Sequence, residues 1–158
     1  MPSLLDTRFR AATTSDAQAI ADVYLAARKR FLPFAPLAHS DDDVRHWIRT
    51  ILVPAGGVTV AEAGSRIVGM MATSCAESVN WLDHLYLAPD AVGRGIGSRM
   101  LERAKGELST PIRLYTFQAN TAACRFYERH GFHPIAYSDG DSNEEKCPDV
   151  LYEWRGGA

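Results

Sequence analysis

A glycine-rich junction connects a predicted strand to a predicted helix in the middle of the chain: Val92-Gly93-Arg94-Gly95-Ile96-Gly97-Ser98. An apolar, aromatic run precedes it, and apolar residues at helical spacing follow it from Arg99 onward. Glycines at such a junction allow positive φ and let a ligand approach the backbone closely. The unpaired first amides of the helix and the helix dipole favour an anion, and Arg94 adds a cation. The sequence therefore predicts a phosphate site here.

Two common nucleotide-binding loops fit this spacing poorly. A P-loop requires Gly-x-x-x-x-Gly-Lys-Ser/Thr, and no lysine follows Gly97. A Rossmann dinucleotide loop requires Gly-x-Gly-x-x-Gly in the first βαβ unit, whereas these glycines are spaced Gly-x-Gly-x-Gly after about half of the chain. A nucleotide-dependent transferase that uses the same loop stays open as an alternative.

A second segment of the chain combines a strand with a helix. Residues 114–120 are rich in aromatic and β-branched side chains, which predicts a strand. Asn120 is a favourable helix N-cap, and Gly131 is placed to end the helix that follows. Four apolar residues share one face of that helix at three- and four-residue intervals: Ala122, Ala123, Phe126 and Tyr127.

Both segments resemble motifs of the GNAT N-acetyltransferase superfamily. Gly95 and Gly97 match the two small positions of the family's Gln/Arg-x-x-Gly-x-Gly/Ala pyrophosphate loop, with Val92 in the place of Gln or Arg. The pattern Asn-x-x-Ala-x-x-Phe-Tyr-x-x-x-Gly-Phe, which starts at Asn120, is similar to the family's second coenzyme A motif. The two motifs occur in the family's order and cover residues 82–132, about a third of the chain.

The resemblance implies that acetyl-coenzyme A is the co-substrate and that no metal is needed. Backbone amides of the junction would hold the pyrophosphate, and a predicted strand would pair with the pantetheine arm. The implied cofactor-binding residues are Leu85, Tyr86, Leu87, Val92, Gly93, Arg94, Gly95, Ile96, Gly97, Ser98, Asn120, Ala123, Phe126 and Tyr127.

The resemblance also implies direct acyl transfer, without a covalent enzyme intermediate. Tyr127 matches the tyrosine that protonates the departing coenzyme A thiolate in many family members, although it could instead only pack against the thioester. A phenol can donate that proton while it stays neutral. A backbone amide near Leu87 would stabilise the tetrahedral oxyanion.

The general base is left open by the sequence. His84 titrates in the useful range and is the first candidate, Glu77 and Asp83 follow, and a water chain is an equal alternative. Asp83 and His84 are neighbours on a predicted strand, so we expect them to face opposite sides of the sheet.

The acceptor is expected to be a primary amine of a small molecule or of a peptide or protein. The segment 138–149 is acidic, which would attract a cationic amine or simply form a solvated loop. Four large aromatic residues could line an apolar acceptor pocket or belong to the core: Phe31, Phe34, Trp47 and Trp81.

Composition excludes several other classes of protein. The chain has 158 residues, 46% hydrophobic, with a net charge of −2, so it lacks the basic field that nucleic acid requires. No apolar run approaches the roughly 20 residues of a membrane span, and the N-terminal Met1 to Asp6 lacks the features of a secretory signal. Three cysteines without Cys-x-x-Cys spacing and five scattered histidines indicate a reducing cytoplasm and no metal site.

The predicted order of elements is β-α-α-β-β-β-α-β-α-β-β, which matches the α/β GNAT fold in a single domain spanning residues 1–158. We expect a mixed, mostly antiparallel sheet of about seven strands flanked by about four helices. A homodimer is possible, since the C-terminal strand is expected at an edge of the sheet. Because Val92 departs from the family pattern and no base is assured, a coenzyme A-binding sensor module without catalysis is the alternative function.

Overall fold

The computed structural model describes residues 6–157, which form one seven-stranded mixed sheet with four α-helices. The strands are β1 Arg8–Ala11, β2 Val58–Ala63, β3 Arg66–Ala76, β4 Val79–Leu87, β5 Ile112–Phe117, β6 His133–Ser138 and β7 Asp149–Trp154. The helices are α1 Ala17–Phe31, α2 Asp41–Trp47, α3 Ile96–Glu107 and α4 Thr121–Arg129. The predicted fold class is confirmed. The first five residues, on which the expectation about a secretory signal largely depends, lie outside the described part of the chain.

The sheet separates into two halves between β4 and β5. Its strand order is β1-β2-β3-β4-β5-β7-β6, and β4 with β5 is the parallel pair in this described sheet. These two strands pair at Asn80 with Ile112 and at Trp81 with Arg113, and no further pairing follows in the described residues. Since β4 continues to Leu87, the strands diverge and leave a gap in the middle of the sheet.

The prediction that the C-terminal strand forms an edge is wrong. β7 lies between β5 and β6 and pairs antiparallel with both, so that Leu151 is opposite Tyr115 on one side and Ala136 on the other. The edges of the described sheet are therefore β1 and β6. The chain reaches β6 first because α4 connects β5 to the outer position, and the loop after β6 returns the chain to the inner one.

Helices cover both faces of the sheet around the gap. Tyr24 of α1 packs against Tyr86 with ring centroids 4.9 Å apart, whereas Gly97 of α3 faces Leu87. Because Tyr86 and Leu87 are consecutive on a strand, α1 and α3 lie on opposite faces. The core between these layers contains Ile20, Met70 and Met100, each with no exposed surface.

The sequence predicts Thr14 or Ser15 as the cap of the first helix, whereas in the structure Thr13 caps a 3₁₀ turn and Asp16 caps α1. The Asp16 carboxylate accepts hydrogen bonds from the Thr13 amide at 2.7 Å and from the Thr13 hydroxyl at 3.2 Å. This capping box starts a short 3₁₀ turn, Thr14–Asp16, that leads directly into the helix. Ser40 caps α2 by accepting a hydrogen bond from the Asp43 amide at 3.1 Å.

A β-bulge interrupts β4 at Asp83. The register pairs Leu82 with Thr73 and His84 with Ala72, so Asp83 is the extra residue. A bulge breaks the alternation of side chains along a strand and re-aims the residues beside it. The expectation that Asp83 and His84 face opposite sides depends on this alternation, which the bulge interrupts, and both residues line the same cavity.

Candidate active site

The glycine-rich junction presents bare backbone at the start of α3. Gly93 and Gly95 have φ of 81° and 82°, in the left-handed region that favours glycine. Gly95 is the N-cap of α3, and no side chain caps the helix. Because the first amides of a helix have no intrahelical partner, the amides of residues 96–98 are available to an anion. This geometry is the one expected of a phosphate-binding junction.

The remaining residues of the junction have distinct environments. Ile96 is buried in the core and fixes the helix start, whereas Val92 is 48% exposed and Arg94 is exposed. Ser98 Oγ lies 3.0 Å from His130 Nε2, and His130 Nδ1 lies 3.0 Å from a carboxylate oxygen of Glu102. This chain of polar contacts fastens the first turn of α3 to the end of α4.

An apolar cavity of about 370 Å³ lies beside the diverging strands on the side of the glycine-rich junction. It connects the junction to the interior of the gap. The side chains and backbone that line only this cavity are Ala27, Phe31, Leu87, Val92, Gly97, Ala122 and Phe126. Its length and apolar lining suit an alkyl-amide arm rather than a charged group.

A polar cavity of about 550 Å³ lies in the gap next to the apolar cavity. The residues that characterise it are Tyr24, Arg28, Asp83, His84, Tyr115 and Glu145. Six residues line both cavities: Leu32, Leu85, Tyr86, Asn120, Ala123 and Tyr127. The two cavities therefore meet at one place, between β4 and α4.

Three of the predicted residues at α4 border this meeting place, namely Asn120, Ala123 and Tyr127, whereas Phe126 lines only the apolar cavity. The Asn120 side chain caps the helix by accepting from the Ala123 amide at 3.2 Å. Tyr127 is buried, and burial raises the pKa of its phenol. Phe126 packs against Tyr127 with ring centroids 5.2 Å apart and closes the apolar side. At neutral pH the phenol of Tyr127 is thus protonated and able to donate.

His84 lies in an aromatic enclosure. Its ring centroid is 5.5 Å from that of Tyr24, 5.6 Å from that of Trp47 and 6.1 Å from that of Tyr86. Burial, with a smaller contribution from the positive charge of Arg28, lowers the pKa of His84 to about 4. The imidazole is therefore neutral throughout the physiological range, which is the correct state for a base, although it holds a proton weakly.

We expect NMR to show His84 titrating near pH 4, with no midpoint near 6.5. Because its pKa is lower in the folded chain than in the unfolded chain, the unfolded chain binds more protons between these values. His84 should therefore reduce the free energy of unfolding as the pH falls from about 6.5 to 4. The variant His84→Asn assigns the resonance, and a midpoint between pH 6 and 7 would contradict the buried environment.

The two other candidate bases differ sharply in position. Asp83 faces the polar cavity, and burial raises the pKa of its carboxyl while a hydrogen bond from the Ser74 side chain partly offsets this. Glu77 lies in the turn between β3 and β4, with φ of 52°, and lines neither cavity. Asp83 is therefore the carboxylate that the structure brings beside His84.

Arg28 is the residue that sequence reasoning missed. Its position in the last turn of α1 is typical of a solvent-exposed cation that complements the helix dipole, but only 6% of Arg28 is exposed and it lines the polar cavity. The available signal was helical spacing, since Arg28 follows Ile20 and Tyr24 on the buried face at intervals of four residues. A charged side chain on the buried, apolar face of a helix is costly, so its presence there indicates a structural or functional role.

The acidic segment 138–149 folds over the polar cavity as an ordered loop. The Asn143 side chain holds it by donating to the Cys147 carbonyl at 2.7 Å and accepting from the Cys147 amide at 3.2 Å. This brings Glu145 and Asp149 to the cavity wall.

Of the four candidate aromatic residues, Phe31 lines the apolar cavity, Trp47 packs on His84, Phe34 contacts Phe117, and Trp81 stacks on Tyr115.

Residues 6–157 contain no cluster of three or more His, Cys, Asp or Glu side chains that could hold a metal ion. Cys75, Cys124 and Cys147 are all free thiols. In the same part of the chain, no helix combines the length and apolar character needed to cross a bilayer.

Comparisons with known proteins identify the family. Residues 54–134, about half of the chain, match the family model described as an acetyltransferase (GNAT) domain. No curated protein sequence matches the chain.

Solved structures with the same fold extend over nearly the whole chain. Apo YjaB from Escherichia coli has 19% identity and a TM-score of 0.76, covering 96% of this chain and 99% of that one. PaiA N-acetyltransferase from Thermoplasma acidophilum, in complex with coenzyme A, has 21% identity and a TM-score of 0.71, with the same coverage. The ribosomal-protein-S18-alanine N-acetyltransferase from Escherichia coli has 15% identity and a TM-score of 0.73, covering 94% and 92%. The chain belongs to the GNAT acetyltransferase family and is an acyltransferase.

Proposed function

We propose that this protein transfers the acetyl group of acetyl-coenzyme A directly to a primary amine. The observation that carries this proposal is the meeting of the apolar and polar cavities at Tyr127, between two diverging strands. A donor and an acceptor that enter from the two cavities would bring their reacting atoms together there. Direct transfer requires such a shared point, because no enzyme nucleophile carries the acetyl group.

The cofactor side of the site supports a coenzyme A ligand. Bare amides of residues 93–98 would hold the diphosphate, with Arg94 nearby, and the pantetheine arm would lie in the apolar cavity along residues 85–87. The edge of β4 that faces β5 has no strand partner beyond Trp81 in the described chain, so its backbone is open to an extended ligand. Val92 borders the same cavity, and its backbone would serve where the family has Gln or Arg.

The chemistry requires two proton transfers. The amine nitrogen forms a bond to the thioester carbon, the carbon–sulfur bond breaks, and the sulfur takes a proton as coenzyme A leaves. Tyr127 would supply that proton, and a backbone amide near Leu87 would stabilise the oxyanion. The amine loses its own proton to a base, for which the cavity offers Asp83 and the neutral His84, directly or through water.

A coenzyme A-binding module without catalysis is the second candidate, because His84 holds a proton weakly. The test is release of free coenzyme A thiol from acetyl-coenzyme A with a panel of small amines, amino acids and peptides. We expect amine-dependent thiol release together with an acetylated product detected by mass spectrometry. Coenzyme A binding without any release above background would contradict the enzyme and favour the binding module.

The three free thiols further support a reducing, cytoplasmic location.

A further inference from the structure

Arg28 occupies a central position on the wall of the polar cavity. Its guanidinium lies over the ring of Phe117, 5.7 Å from the centroid, and its charge contributes to the lowered pKa of His84. One Nη lies 3.4 Å from the Tyr86 hydroxyl, and Tyr86 borders the place where the two cavities meet. The positive charge is therefore beside the reacting atoms of the proposed transfer.

The hydrogen-bonding capacity of Arg28 is only partly used. A guanidinium has five N–H donors. The other Nη donates to the Ala35 carbonyl at 3.1 Å and lies 3.4 Å from Glu145 Oε1, whereas Nε has no partner among residues 6–157. The contacts with Tyr86 and Glu145, both at 3.4 Å, are at the outer limit for a hydrogen bond. Only 6% of Arg28 is exposed, and unsatisfied donors on so buried a side chain are costly.

We propose that the acceptor is a small amino acid-like zwitterion whose carboxylate binds Arg28. This inference depends on the proposed acetyl transfer and names the class of its substrate. A planar carboxylate matches the fork of donors on a guanidinium and adds charge-assisted hydrogen bonds. An amine without a carboxylate would leave the buried Arg28 guanidinium unpaired. A purely cationic amine would also be repelled by its positive charge.

The opposite end of the acceptor would meet negative charge. Asp83 faces the same cavity at the bulge of β4, and Glu145 and Asp149 line its loop wall. The ammonium group of a zwitterion would lie beside the negative charge of Asp83, and its carboxylate would lie beside the positive charge of Arg28. A volume of about 550 Å³ accepts a free amino acid with its side chain. The N-terminus of a protein would bring no carboxylate to Arg28, unless one lay on its first side chain.

The test compares α- and ω-amino acids with their carboxamides as acceptors for the wild-type protein. Each pair shares the amine and the carbon chain, and only the carboxylate differs. For α-amino acids the carboxamide is the less basic amine, so more of it is unprotonated and intrinsic reactivity works against the expected result. We expect kcat/KM to favour the acid by about 10- to 100-fold, as charge-assisted hydrogen bonds predict.

Arg28→Gln should abolish this preference, because it should lower kcat/KM for the acids about 10- to 100-fold more than for the carboxamides. Arg28→Lys, which keeps the charge without the planar fork, should give an intermediate ratio. Arg30→Gln is the matched control, because Arg30 is exposed on the same helix and lines neither cavity. If Arg28 has only a structural role, its replacement should reduce kcat/KM equally for the acids and the carboxamides.

The outcomes separate this inference from the proposed function. Efficient acetylation of carboxamides or plain amines, with no advantage for acids, would overturn the inference and leave acetyl transfer intact. An equal loss for both substrates in Arg28→Gln would also overturn it. If that variant does not fold, the wild-type ratio and the Arg28→Lys ratio decide. No turnover of any amine would overturn both proposals.

Discussion

Replacing Gly95 with glutamate is expected to abolish coenzyme A binding. Gly95 has φ of 82°, so any side chain there adds strain of about 1–2 kcal/mol. The carboxylate would also lie at the N-terminus of α3, where it would take the place of the diphosphate and repel it. Since each lost charge-assisted hydrogen bond costs about 1.5–3 kcal/mol, affinity should fall at least about 100-fold, as measured by calorimetry.

Two further variants separate the causes of that loss. Gly95→Ala keeps the strain without the charge and should retain measurable binding, because a Cβ at Gly95 has no heavy atom within 4 Å. Gly106→Glu makes the same substitution near the other end of α3, where a Cβ also meets open space, and should bind normally. Unchanged affinity in folded Gly95→Glu would mean that the diphosphate is held elsewhere.

Replacing Tyr127 with phenylalanine is expected to lower kcat by about 100-fold, because general acid catalysis typically contributes at least that much. The ring still fills its buried position between Phe126 and Phe132, so the KM for acetyl-coenzyme A should change little. Steady-state kinetics with acetyl-coenzyme A and a saturating amine measure both constants.

Tyr152→Phe is the matched control for Tyr127. Tyr152 is also buried, with its ring centroid 6.3 Å from that of Tyr127, but its hydroxyl donates to Glu128 at 2.5 Å and it lines neither cavity. Loss of this hydroxyl should reduce the free energy of unfolding by about 1.5–3 kcal/mol, as for other hydrogen bonds to a charged group, without changing kcat. A Tyr127→Phe variant with wild-type kcat would assign Tyr127 to packing alone.

The sequence was most informative where local chemistry determines local structure. The left-handed glycines at 93 and 95, the uncapped start of α3 and the cap at Asn120 each depend on the residue itself and its nearest neighbours. The alternation of strands and helices follows from hydrophobic spacing in the same way. These features sufficed for the fold class and for the exposed glycine-rich junction at the start of α3.

The acceptor side could not be predicted because it depends on contacts between distant segments. The bulge at Asp83 arises from the register of β4 against β3, which no local pattern specifies. Arg28 of α1 contacts Glu145 of the 138–149 loop, which lies 117 positions further along the chain. The position of β7 between β5 and β6 likewise reflects the packing of the whole sheet.

The central placement of β7 has a consequence for synthesis. In a nascent chain that has not yet reached Asp149, β5 is joined to the rest of the described sheet only by its two residue pairings with β4. The strand that pairs with β5 along its full length, β7, has not yet been made. The second wall of the cleft is then unsupported. We therefore expect the gap between β4 and β5 to take its final form only after the last strand has been synthesised.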